Sequence, residues 1–150
     1  MARLFLVIVF SALCSVALGT GTGTVQVDTT KKLQRYDVDW ASDSTSASAI
    51  TIGSVEGTIY RISIVPDTGA TSPTASYTAT LTDVDGIDLL QGEGTGLSAS
   101  AAADILPRIV SGDGTSTLTM PVAVSGDLTL TLAATGTSRG GTIRLYVLKP

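Results

Sequence analysis

Few residues in this 150-residue chain are of a type and spacing that could do chemistry. Three aspartates, Asp83, Asp85 and Asp88, crowd into the stretch SYTATLTDVDGIDLLQGEG, residues 76–94. Carboxylates this close together are the raw material of a calcium loop. An EF-hand loop takes oxygen ligands at positions one, three and five, glycine at six and glutamate at twelve. Counted from Asp83, Asp85 falls at three, Gly86 at four, and no acid stands at twelve. Aspartate also accepts hydrogen bonds from its own neighbouring backbone, and glycine supplies positive φ, so DVDG reads as a connection between strands. No metal ligands are assigned to it.

The other candidate chemistry is a carboxylate pair of the kind that hydrolyses glycosides. Glu56 and Glu93 are the only glutamates. Both stand beside glycines in expected turns, and nothing in the sequence places them across a cleft. The chain has no histidine, and its one cysteine, Cys14, lies in an apolar first segment. A Ser-His-Asp triad, a Cys-His pair and a His-ligated zinc are therefore excluded within one chain. No disulfide can form in the body of the chain. The expectation is a protein that is not an enzyme, with no catalytic residue and no cofactor. Trp40, the only tryptophan, is read as a core anchor rather than a platform for a ligand.

Charge narrows the partners. The formal net charge is −4, from 9 basic and 13 acidic residues. The one short basic group is Lys31, Lys32 and Arg35. Nucleic-acid binding draws its affinity from phosphate neutralisation by a concentrated cationic face, so no such partner is expected.

The elements that must position these residues are strands. The chain is rich in Thr, Ser, Gly and Ala and poor in Lys, Glu and Gln, which favours strands and turns over helices. In RYDVDW, Tyr36, Val38 and Trp40 fall on one side and Asp37 and Asp39 on the other, the period of a half-buried strand. ITIGSVEGTIYRISIVP holds two apolar stretches. In the second, Tyr60, Ile62 and Ile64 share a face opposite Ile59, Arg61, Ser63 and Val65, and Pro66 ends the run. Tyr77, Ala79 and Leu81 alternate with threonines. The segment 91–107 reads as a long loop with a helical turn around SAAAD. Further turns are expected at SGDG and at SGD. Met120, Val122 and Val124, then Leu128, Leu130 and Leu132, then Ile143, Leu145 and Val147, alternate in turn. These are seven to eight short strands separated by turn signals. The fold class is all-β, an antiparallel two-sheet sandwich or jelly-roll over residues 31–150. Threonine-rich outer faces are expected to be solvated or paired with another subunit.

Ahead of that domain lie two other segments. MARLFLVIVFSALCSVALG, residues 1–19, carries Arg3, an apolar run and small residues Ala17 and Gly19 before a cleavage point, the features of a signal peptide. The run is short of the roughly 20 residues that span a bilayer. Membrane contact is expected only through residues 1–19, and only if they are retained. Residues 20–30, TGTGTVQVDTT, read as a Gly/Thr linker leading into a first short or edge strand.

Three stretches in fixed order carry a resemblance. They are KKLQRYDVDWASDSTSAS, then GTIYRISIVPDTGATSPTASYTATLTDVDGIDLLQGEG, then GDLTLTLAATGTSRGGTIRLYVLKP. Together they resemble a group of small tailed-phage proteins associated with the virion. Trp40, Ser42 and Asp43 match that group's Trp-Ser-Asp start, with Ala41 inserted. Pro73, Thr74, Tyr77, Thr82, Asp83, Asp85, Gly86, Asp88 and Leu90 match its central motif. Leu128 to Leu130 and Gly141 to Val147 match its closing strands. The resemblance spans residues 31–149 and implies a structural or accessory virion protein, such as a capsid decoration or tail-associated sandwich. It implies self-association, contact with other virion proteins and location in the virion. It carries no catalytic or ligand residue. The leader points to an alternative: a secreted or surface-anchored bacterial adhesion or carbohydrate-binding module, periplasmic or extracellular after cleavage.

Overall fold

In a computed structural model of the chain, residues 22–28, 32–43, 47–110 and 117–150 are described. The apolar leader, its cleavage point after Gly19, Lys31 and the SGDG turn at 111–114 lie outside those residues.

Alternation of apolar and polar residues makes the elements. Nine antiparallel strands are described: β1 (Thr22–Asp28), β2 (Leu33–Ala41), β3 (Ser48–Pro66), β4 (Thr78–Thr82), β5 (Ala103–Ile105), β6 (Arg108–Val110), β7 (Thr117–Thr119), β8 (Val122–Ala133) and β9 (Gly140–Leu148). Apart from the β6–β7 hairpin, they form one sheet in the order β1-β2-β9-β3-β8-β4, with β5 also on β3. The single described helix is a turn of 3-10 at Gly69–Thr71. The protein is an all-β antiparallel sandwich, and its two layers are continuous through β3.

That continuity has a sequence cause. The glycine-punctuated runs read as separate strands are single long ones. β3 runs 19 residues through Gly53 and Gly57, and β8 runs 12 residues through Gly126. The β3–β8 register shifts between Ile52 and Val55, and the β3–β9 register shifts between Ile59 and Arg61. Glycine inside a strand often marks such an irregularity, where the chain bends and twists more sharply. Gly57 has φ +138°, and a Cβ there would strike the backbone carbonyl of Leu148. β3 thus bends from one layer into the other. Its first half pairs β8, which pairs β4; its second half pairs β9, which pairs β2 and then β1.

The second shift also changes a face. Tyr60 was expected beside Ile62 and Ile64. It is instead 58% exposed, while Ile59 and Ile62 are both fully buried. The displaced register turns Tyr60 out to solvent.

Directly paired residues share a face, so the core can be followed row by row. One layer contributes Tyr36, Leu145, Ile62 and Ile105, then Val38, Ile143 and Ile64. The other contributes Leu81, Leu130 and Ile50, then Leu128 and Ile52. All are buried, and each such side chain taken from water contributes about 1.5–3 kcal/mol before entropy is counted. Between the layers, the Trp40 and Tyr77 rings lie 6.0 Å apart, and a Cβ on Gly23 of β1 would collide with Ile50 of β3.

Two local expectations change. The Gly/Thr stretch is already strand from Thr22, forming the edge of the sheet on β2. The SAAAD segment holds no helical turn; Ala103–Ile105 is a strand on Ile62–Ile64. Small side chains there let the chain lie flat along β3.

Candidate functional site

The acidic loop grows directly out of β4. Asp83 and Asp88 are turned inward on the chain's own backbone. Asp83 Oδ1 accepts the N–H of Asp85 at 3.0 Å and of Ile87 at 2.9 Å. The Asp83 carbonyl accepts the N–H of Gly86, whose φ is +79°. Asp88 Oδ1 accepts the N–H of Leu90 at 3.0 Å and Leu81 at 3.3 Å, and its Oδ2 accepts the N–H of Gly92 at 3.0 Å. Each carboxylate thus stands in for a backbone acceptor in a turn. Asp85 is exposed and supplies its N–H to Asp83. Among the described residues no group of three or more His, Cys, Asp or Glu side chains is placed to hold a metal ion.

What this loop does is cover an edge. Segment 83–97 turns back along the free side of β4. Leu89 N–H donates to the Leu81 carbonyl at 2.7 Å, Ala79 N–H to Gly94 at 2.8 Å, and Leu97 N–H to Tyr77 at 2.9 Å, while Ser76 N–H donates to Leu97 at 2.9 Å. Gly94 comes so close to the Ala79 carbonyl that a Cβ would overlap it. The loop also buries Leu89, Leu90 and Leu97. An unpaired strand edge is a template for another chain, and this one is closed from within.

The two glutamates do not form a catalytic pair. Glu56 pairs with Ser125 on β8, whereas Glu93 precedes Gly94, which is bonded to Ala79, itself opposite Leu132 of β8. Ser125 and Leu132 are seven residues apart on one strand, about 23 Å at ~3.3 Å per residue. Glycosidase carboxyls stand roughly 5–10 Å apart. Both glutamates are solvent-exposed.

Trp40 is 3% exposed and stacked at a tilt on Tyr77. Its ring lies over Gly141, where a Cβ would come within 3.0 Å of it. Burial pushes the Tyr77 hydroxyl up to about 12. Tyr36 is raised by burial and, to a smaller degree, by the charge of Glu56; its hydroxyl donates to Gln34 Oε1 at 3.2 Å. A shallow open groove at one end of β1 and β2 is lined by Thr22, Gly23, Thr24, Asp39, Trp40 and Ala41. The Asp39 carboxylate there accepts the Thr142 hydroxyl at 2.7 Å.

Ser42 is buried and ties its own loop to the β8–β9 connection. Its Oγ donates to the Gly136 carbonyl at 2.6 Å and accepts the Arg139 N–H at 3.0 Å. The Arg139 guanidinium donates onward to the Ala70 carbonyl. Thr74 N–H donates to the buried Thr135 at 2.7 Å. The motif residues Trp40, Ser42, Thr74, Tyr77, Asp83, Gly86 and Asp88 therefore all have work within the fold.

The structure also assembles a charged outer face from residues far apart in the sequence. Across the sheet, Asp28, Arg35, Tyr146 and Arg61 form one row, and Gln26, Asp37, Arg144 and Ser63 the next. Arg35 meets Asp37 at 2.7 Å, Arg144 meets Asp37 at 3.5 Å, and the Arg61 guanidinium lies 4.2 Å from the centre of the Tyr146 ring. Hydrogen bonding to Asp37, then its charge, raises the Arg35 pKa. Asp104 of β5 accepts the Ser63 hydroxyl and sits 3.9 Å from Arg61. Cations and anions alternate, so the face is balanced rather than a basic patch. Its signal was the alternation of charge in RYDVD and RLY, visible only once β2, β9 and β3 are neighbours. No family model matches the chain, and no curated protein or solved structure matches it either.

Proposed function

We propose that this chain is a non-enzymatic building block of a virion, a capsid-decoration or tail-associated β-sandwich. The observation that carries this reading is the use of its polar motif residues. The carboxylates of Asp83 and Asp88 accept backbone N–H groups, Trp40 is packed on Tyr77, and Ser42 joins loops. Side chains engaged in this way serve rigidity. A scaffold of stiff sheet with little reactive surface suits repeated assembly contacts. The resemblance of the ordered motifs to small tailed-phage proteins is what favours a virion over other assemblies, as an analogy of sequence. Mass spectrometry of purified particles tests it. Peptides of this chain co-purifying with particles through a density gradient support the reading; their absence overturns it.

The apolar leader favours a second reading, a secreted or surface-anchored binding module. In that case the chain begins at Thr20 after cleavage. N-terminal sequencing of the natural protein, together with its recovery from the extracellular fraction, distinguishes the two.

A further inference from the structure

We infer that β1 is a pairing edge for a second copy of this chain, with two β1 strands joined antiparallel about a two-fold axis at Val25. The inference deepens the assembly role proposed above, resting on that reading for its biological setting but not for its chemistry.

The ends of the sheet are treated differently. The free side of β4 is covered by the chain's own segment 83–97 through backbone hydrogen bonds. The outer side of β1 has no such cover: among the described residues β1 pairs with β2 alone. Folded proteins protect exposed edges with lysine, proline, a bulge or a very short strand. β1 has none of these. It runs seven residues, TGTVQVD, in unbroken register with β2, and only Asp28 is charged. A strand of that kind is built to be continued.

The occupant follows from the strand's own pattern. Antiparallel pairing about Val25 sets Thr22 against Asp28, Gly23 against Val27, Thr24 against Gln26, and Val25 against its own copy. No like charges meet, although each chain carries a net charge of −4. Side chains keep their faces in this register. Gly23, Val25 and Val27 pair with Trp40, Val38 and Tyr36 on the core side, while Thr24 and Gln26 point outward. Val27 is 42% exposed despite lying on the core-side face. In the pair it lies opposite the partner's Gly23, beside the apolar Ile50 side chain that already fills the space above that glycine. β1 carries a single acidic residue and no basic one.

The test uses two double variants at the same exposed positions. In the proposed register each Thr24 faces the partner's Gln26, twice per dimer. Thr24→Lys with Gln26→Lys therefore places two like-charged pairs across the axis. Thr24→Lys with Gln26→Glu places two opposite-charged pairs there. Sedimentation equilibrium of the full chain should show a wild-type dimer. The Lys/Lys form should dissociate up to roughly thirtyfold more readily, and the Lys/Glu form should pair at least as tightly as wild type. Thermal melts of both variants confirm that β1 is still folded. A monomeric wild type overturns the inference, as does equal behaviour of the two variants. A monomer found in virions would sink this pairing and leave the virion reading standing; a dimer absent from particles would do the reverse.

Discussion

Replacing Asp88 by alanine is the sharpest probe of what the acidic loop is for. The substitution removes a carboxylate that holds the N–H groups of Leu90 and Gly92 at 3.0 Å and of Leu81 at 3.3 Å. A hydrogen bond to a charged group contributes about 1.5–3 kcal/mol when well buried. Asp88 is only half-buried, and water can replace part of each bond, so about 1 kcal/mol per bond is the fair scale. The expected loss is about 3 kcal/mol, or a fall in Tm of about 10 °C for a domain of this size. Asp83→Ala loses two such bonds on a more open loop and should cost about 1–2 kcal/mol. Asp85→Ala keeps the backbone N–H that matters and should stay within about 0.5 kcal/mol of wild type. Trp40, the only tryptophan and buried, gives the readout: its fluorescence through urea titrations and thermal melts. The ranking Asp88, Asp83, Asp85 is the signature of a turn. A shared cation would make all three matter alike, and would raise stability by about 2.7 kcal/mol at a hundredfold excess over its Kd. Equal losses at Asp85 and Asp88, or a wild-type melt that shifts with calcium or EDTA, would refute the reasoning.

Other consequences can be checked with the same assay. Tyr77 carries a hydroxyl raised to about 12 against an ordinary 10, so its contribution is complete below pH 10 and is lost as pH rises through 12. That loss is about 3 kcal/mol, and Tyr77→Phe should flatten most of the alkaline limb while the raised Tyr36 leaves a residue of it. Gly57→Ala forces a Cβ onto the Leu148 carbonyl at φ +138° and should cost about 2–4 kcal/mol in urea titration. Ser42→Ala removes the acceptor of the part-buried Arg139 N–H and should cost about 1–2 kcal/mol, read as a fall in Tm.

The core was readable because strand period is a local property. Tyr36, Val38 and Trp40, the leucines of β8, and Ile143, Leu145 and Val147 all face inward as their spacing indicates. The long strands were not readable. Gly53, Gly57 and Gly126 resemble turn residues in one dimension, and only pairing shows that they bend a continuing strand. Tyr60 fails for the same reason, since a shifted register inverts a face without leaving a mark in the alternation. The aspartates lay between these cases. Their turn chemistry was legible from DVDG, but the role of Asp88 in fastening residues 83–97 along β4 needs Leu81 and Gly92 brought together in space. The charged outer face was written in alternate residues of three distant strands, and no local window contains it.

The most direct measurement of the central claim is a copy count in purified virions, by mass spectrometry against isotope-labelled peptides from residues 36–61 and 109–139. The account predicts a fixed ratio to the major capsid or tail protein that survives gradient purification and salt washing, with even copy numbers if β1 joins the chains in pairs. Particles free of the chain, with the same peptides recovered from the secreted fraction, would contradict it.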